Sequence, residues 1–132
     1  VIIADTNVLL DVAIGDPIWA DRSQLALDNA YANDVVVIND VIFAELSARF
    51  EKLEAFEAVL ARTPSIHRAM PREALFLAAK AHQRYRRHGG TRTGVLSDFF
   101  IGAHAAVEGA SLLTRDPRHV LSYFPSVTLI SP

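Results

Sequence analysis

Short apolar runs closed by polar or turn residues alternate with helix-length amphipathic segments along this chain, and that alternation restricts the fold more than any other feature. Val1 to Ala4 ends in Asp5-Thr6-Asn7, and Val35 to Ile38 ends in Asn39-Asp40. Ser111 to Thr114 and Val127 to Ile130 are two more such runs, with Ser65 to Arg68 a weaker fifth. Runs of this length, rich in β-branched residues, read as buried strands. Between them, Asp16-Pro17 opens a helical pattern through Trp19, Leu25 and Leu27 to about Ala32. Ile42, Phe43, Leu46, Phe50 and Leu53 recur at helical spacing after a cap at Asn39 or Asp40, and Phe56 to Leu60 continue or restart that helix. Pro71 is placed at the first position of a helix stopped by Gly89-Gly90, and Ser97 caps the last long helix, which ends at Gly109. Strands separated by such helices connect as βαβ units. The expectation is an α/β chain with a mostly parallel, about five-stranded sheet and helices on both faces.

The chain has 132 residues with no internal repeat, low-complexity tract or linker, so it reads as one domain over 1–132. Cysteine is absent, which excludes disulfides and thiolate zinc sites and fits a reducing, cytoplasmic setting. No apolar run approaches the roughly 18 to 20 residues of a spanning helix, and the start at Val1 has no basic signal-peptide region, so a soluble protein with no membrane partner is expected. The formal charge of −2 conceals an asymmetry. Residues 1–57 carry 11 acids and 3 bases, residues 58–97 carry 1 acid and 8 bases, and residues 98–132 carry 3 acids and 2 bases.

In parallel α/β sheets ligands bind beyond the carboxyl ends of the strands, and that rule selects among the acids. Asp5 follows the first strand directly. Glu45 lies on the second turn of the helix after the second strand, Asp98 in the first turn of the helix leading to the fourth, and Asp116 just past that strand. All four are placed at one edge of the sheet. Carboxylates gathered there repel one another and resist ionisation unless a cation sits among them. An all-oxygen donor set suits a hard ion such as Mg²⁺ or Mn²⁺, and a metal-assisted reaction at phosphate follows from that chemistry.

Each acid also has a structural reading. Asp5 is suited to cap the next helix, Asp98 to complement a helix dipole, and Asp116-Pro117 to initiate a turn. Glu45 could belong to a solvated face, as Glu51, Glu54 and Glu57 do, but it flanks Ile42 and Leu46 at the border of the apolar stripe. Four independent cap and turn acids need not fall at one edge, and their shared placement favours a site.

These residues resemble the PIN-domain ribonucleases and, within them, the VapC toxins of toxin–antitoxin pairs. The resemblance spans the chain and rests on Asp5-Thr6-Asn7-Val8-Leu9-Leu10-Asp11, on Phe43-Ala44-Glu45-Leu46, on Asp98-Phe99-Phe100-Ile101-Gly102-Ala103-His104-Ala105 and on Thr114-Arg115-Asp116. It implies a three-layer α/β/α fold in which Asp5, Glu45 and Asp98 are the core metal-binding and catalytic acids and Asp116 completes the site. It also implies that Thr6 or Asn7, and Thr114, support the carboxylates. Dependence on Mg²⁺ or Mn²⁺, hydrolysis of RNA, homodimerisation and inhibition by a VapB-type antitoxin are further implications. The segment after Asp116, Pro117-Arg118-His119, lacks the additional acid found in many relatives. Asp11 is expected on the surface or behind the ligating acids.

Lys80, Arg84 and Arg87 share one helix face at i, i+4 and i+7, and with Arg92 they form the densest basic patch. Either they are a solvated face, or they track RNA phosphates toward the acids. The histidines show no paired ligand spacing, and His104 is expected as a satisfied residue in a buried helix. Trp19 and Leu25 read as core or dimer-interface positions. The chain has no Gly-x-Ser-x-Gly, and Gly89 to Gly94 lacks the Walker Gly-Lys-Ser/Thr ending. A phosphate-accepting enzyme with Asp5 as nucleophile ranks low, because a second Asp is wanted where Asn7 stands. The principal alternative to a nuclease is a PIN-like module that binds RNA or a partner without cutting.

Overall fold

The β-branched runs form five short strands in a computed structural model that describes residues 1–132: β1 (Ile2–Ala4), β2 (Val36–Ile38), β3 (Ile66–His67), β4 (Ser111–Leu113) and β5 (Leu129–Ile130). Seven helices connect them, α1 (Thr6–Ile14), α2 (Ala20–Asn33), α3 (Asp40–Ser47), α4 (Leu53–Leu60), α5 (Arg72–Arg87), α6 (Leu96–Glu108) and α7 (Arg118–Tyr123). All strand pairings are parallel and the spatial order is β3-β2-β1-β4-β5. From β1 at the centre, β2 and β3 extend to one side and β4 and β5 to the other, so the direction of winding reverses between β1 and β4. A crevice opens at such a switch point, beyond the carboxyl ends of the two strands.

Strand alternation divides the core into two layers. Ile3, Val37 and Leu112 pack with Ile42, Phe99 and Val120 on one face, whereas Ile2, Ala4, Val36 and Leu113 pack with Val8 of α1 and Leu27 and Ala30 of α2 on the other. The result is the three-layer α/β/α arrangement. No helix is long and apolar enough to cross a membrane.

Helix α6 is apolar nearly all round and runs through the first core with Phe99, Ile101, Ala103, His104 and Ala105 buried. Gly102 lets α7 approach it. A Cβ at that position would lie 2.6 Å from the Phe124 ring and 3.3 Å from Val120. Gly102→Ala is therefore expected to destabilise the domain by about 1 to 3 kcal/mol through overpacking, read as a lower urea midpoint; an unchanged midpoint would show that α7 is free to shift. His104 is fully buried, with Nδ1 3.2 Å from Asn39 Nδ2, and Nε2 3.1 Å from Glu108 but out of line for a good hydrogen bond. Asn39 in turn accepts from the Ile42 N–H and caps α3, the helix that carries Glu45.

Several local expectations are corrected. Asp16 does not cap a helix directly; its carboxylate accepts from the Ile18 and Trp19 N–H groups in a turn, and α2 begins at Ala20. The α3 helix stops at Ser47 and restarts as α4 at Leu53. Ser97 lies inside α6, whose cap position is Val95, and Pro71 precedes α5 by one residue. Leu25 is 62% exposed, which removes the core from its two expected places, while Trp19 is half-buried with the guanidinium groups of Arg22 and Arg115 against its ring.

Candidate functional site

The register that pairs Ala4 with Leu113 brings the residues after β1 and β4 side by side, and the Asp5 N–H donates to the Leu113 carbonyl at 2.9 Å. Asp5 holds the cap position of α1, yet its carboxylate makes no capping bond. It accepts instead from the Thr114 hydroxyl at 2.7 Å and from Asn7 Nδ2 at 3.4 Å, both on Oδ2, so Oδ1 has no side-chain donor. Asn7 also donates to Thr114 Oγ1 at 3.3 Å, and the Asp116 N–H donates to the same hydroxyl at 3.1 Å. Thr6, fixed in the first turn of α1, donates its hydroxyl to Glu45 Oε1 at 2.7 Å. Three polar residues of β1–α1 and β4–α7 thus orient two carboxylates.

Burial pushes the Asp5 carboxyl up to about 6, and the Asp98 and Glu45 charges add to that, against the opposing pull of the Thr114 bond. Asp98 is likewise pushed up to about 6, first by burial and then by the Asp116 and Glu45 charges, although Arg92 and Arg118 partly offset this. The four acids therefore share one field. They do not share one coordination sphere: no three of the chain's His, Asp and Glu side chains stand close enough together to hold a common ion.

Asp116 is the outlying member. Arg118 grips it with Nε–Oδ1 at 2.8 Å and a second guanidinium nitrogen on Oδ2 at 2.9 Å, and these bonds hold its carboxyl below the usual range. Asp5, Glu45 and Asp98 have no Lys or Arg within ion-pair distance. Oδ1 of Asp5, Oε2 of Glu45 and both oxygens of Asp98 are free of side-chain donors. Hard oxygen atoms without a counter-charge, at a strand edge, fit a divalent cation in donor chemistry.

The basic candidates separate. Tyr85 near the end of α5 packs on Phe99 near the start of α6, whereas Phe76 and Lys80 share a shallow hollow with Val107 near its end, so the two helices run antiparallel. Lys80 lies five residues before Tyr85, about 7.5 Å further along α5 from the Asp98 end of α6 at 1.5 Å per residue. Arg84 sits against the Tyr123 ring at 5.9 Å, Arg87 is exposed, and Arg92, anchored through its N–H to the Tyr85 hydroxyl, is the one whose charge reaches Asp98 and Asp116.

The sequence reading passed over Arg118, His119 and the role of Arg115. Arg118 stands two residues past Asp116, and a base so close to a candidate acid is the signal in the sequence that could have found it. His119 lies among Tyr85, Phe99 and Asp116, and burial together with Arg92 and Arg118 lowers its affinity for a proton.

A family profile described as the PIN domain matches residues 2–123. Comparison with curated protein sequences gave no match. Among solved structures, the chain is similar to VapBC2 from Rickettsia felis bound to a DNA fragment from their promoter. That similarity has a TM-score of 0.74 at 19% identity and covers 99% of this chain and 98% of the other. FitAcB from Neisseria gonorrhoeae aligns with a TM-score of 0.70 at 18% identity, over 98% and 96% of the two chains. VapBC-1 from nontypeable Haemophilus influenzae aligns with a TM-score of 0.68 at 16% identity over the same shares. At these identities the structural likeness is one of fold.

Proposed function

We propose, from the premise that this chain belongs to the PIN-domain family, that it is an Mg²⁺- or Mn²⁺-dependent endoribonuclease acting as the VapC-type toxin of a toxin–antitoxin pair. The observation that carries the reading is the pair Asp5 and Asp98, two half-buried carboxylates at the β1/β4 switch point with no basic partner within ion-pair distance and with proton affinities raised to about 6. Asp5, Asp98 and Glu45 are the donors that would hold the ion, and because they do not stand about one point here, their side chains would have to draw in on it, with Asp116 at the outer edge. When bound, such an ion supplies hydroxide at neutral pH and neutralises charge on a phosphodiester.

The chain's own groups prepare that chemistry. Thr114 and Asn7 occupy one oxygen of Asp5 and leave the other free; Thr6 does the same for Glu45. Arg92 and Arg118 supply positive charge at the mouth of an otherwise acidic crevice, where phosphate must approach. The solved relatives described as VapBC support a VapB-type antitoxin as partner, and a cytoplasmic homodimer of this chain belongs to the same proposal. The test is cleavage of a short single-stranded RNA by the purified chain with Mg²⁺ or Mn²⁺ and its loss in EDTA; metal-independent cleavage, or none at all, counts against the reading.

A non-cleaving RNA- or partner-binding module is the second reading, and two observations favour it: Arg118 already pairs with Asp116, and no three acids gather about one point. RNA binding and cellular effect that survive an Asp5→Asn/Asp98→Asn double substitution would establish it.

The separation along α5 gives a further expected result. Arg92→Ala weakens RNA binding about 3- to 10-fold and lowers the slope of log K against log salt by about one. Lys80→Ala, further from the acids along α5, changes binding less than about 2-fold. Titration of a fluorescent RNA at several salt concentrations distinguishes them, and equal losses would place the RNA along the whole helix face.

A further inference from the structure

A second charged cluster adjoins the site from behind. Asp11, on the second turn of α1, is 1% exposed, so of its two expected places, the surface and behind the ligating acids, only the second remains. Both of its oxygens are engaged: Oδ2 accepts from the Ser23 hydroxyl of α2 at 2.8 Å, and Oδ1 accepts from the Arg115 guanidinium at 2.9 Å. The same guanidinium lies 5.3 Å from the centre of the Trp19 ring, which Arg22 covers at 4.7 Å. Arg115 is thus held by a buried charge and by an aromatic face.

Arg115 stands between Thr114 and Asp116, and both of those face the crevice. Past Thr114, whose N–H donates to the Ile130 carbonyl at 3.1 Å, the turn leaves the sheet. The Arg115 N–H reaches Asn7 only at 3.5 Å, and the Asp116 N–H bonds within the turn. Beside the bonds of the Thr114 hydroxyl with Asp5 and Asn7, the Arg115 side chain supplies the charged tie from this turn to α1. A buried ion pair is a poor source of net stability, since apolar residues of similar volume commonly do as well. Its specific product here is geometry.

We propose that the Asp11–Arg115 pair is a positioning device of the site: it clamps the turn carrying Thr114 and Asp116 onto α1 and so sets the Thr114 hydroxyl on Asp5 Oδ2. The proposal rests on the reading of Asp5 as a cation-binding acid for its functional consequence, though not for the clamp itself. Asp11 and Arg115 act through Thr114 and touch neither substrate nor ion. Removing Arg115 alone strands a buried carboxylate, so the informative variant removes both charges.

In Asp11→Asn/Arg115→Met, amide hydrogen exchange at Thr114, Arg115 and Asp116 is expected to rise about 10-fold or more, with exchange at Ile3 and Leu112 unchanged. Mn²⁺ affinity measured calorimetrically falls about 10-fold, within the range for outer partners of ligating groups. For RNA cleavage kcat falls by a similar factor while KM stays within about 2-fold. Arg115→Lys, which keeps the charge but not the fork, gives intermediate values and serves as the reading if the double variant fails to fold. Wild-type exchange in the turn together with wild-type Mn²⁺ affinity overturns the proposal. If the unaltered chain takes up no Mn²⁺ and cuts no RNA, the functional reading fails, and the exchange measurement alone decides whether the clamp exists.

Discussion

Asp98→Asn is expected to lower metal-dependent RNA cleavage by on the order of 100-fold or more while far-UV circular dichroism stays unchanged. The asymmetry between activity and fold follows from what the carboxylate touches. No donor hydrogen-bonds to it and no Lys or Arg pairs with it, so its replacement breaks no contact that holds α6 in place. Asn also removes a charge that burial and the neighbouring Asp116 and Glu45 oppose, so the metal-free protein should melt at the same temperature or higher at pH 7.5. An amide is a poor ligand for a hard divalent cation compared with a carboxylate, and Asp5, left with Glu45, does not replace it. Single-turnover cleavage with and without Mg²⁺, beside a thermal melt of the metal-free protein, checks both halves. Cleavage within a few-fold of wild type would remove Asp98 from the catalytic set. A large fall in melting temperature would instead make it a structural acid.

Asp116→Asn should not behave in the same way. Its carboxylate is bound by Arg118 through two bonds and is half-exposed, so its loss frees a cation at the mouth rather than relieving a buried repulsion. The difference between the two acids bears on how much of the site can be read in the chain. Where the strands end fixed Asp5 and Thr114, because β-branched runs locate carboxyl termini to within a residue and parallel pairing aligns them. What a side chain does after its backbone is placed depends on partners far away in the chain. Asp11 and Arg115 are 104 positions apart, and no periodicity relates them. The helical spacing of Lys80, Arg84 and Arg87 predicts a shared face, but spacing carries no information on which end of that face meets the site. The antiparallel turn between α5 and α6 decides that, and it leaves Lys80 beside Val107.

Burial of Asp5 makes the stability of the metal-free protein depend on pH in a direction opposite to ordinary acid denaturation. Its carboxyl titrates near 3.8 in the unfolded chain and at about 6 in the folded one, so between those values the native state holds the proton more tightly. Stability therefore falls as pH rises through this window and stays lower above it, by at most about 3 kcal/mol for this group at 1.36 kcal/mol per pH unit of displacement. Asp98 adds to the fall with the same sign. His119 opposes it, since a lowered proton affinity makes stability rise as pH climbs toward 6.5. The decisive measurement is accordingly the difference between wild type and Asp5→Asn. Asp5→Asn should be the more stable protein at pH 7.5 without metal, by several degrees in melting temperature, and the gap should close near pH 4. Millimolar Mn²⁺ should raise the melting temperature of wild type at pH 7.5 and leave Asp5→Asn nearly unmoved, because the cation stabilises only the state that offers it a charged carboxylate. A pH-independent difference, or an equal response of both proteins to Mn²⁺, would place the ion away from Asp5.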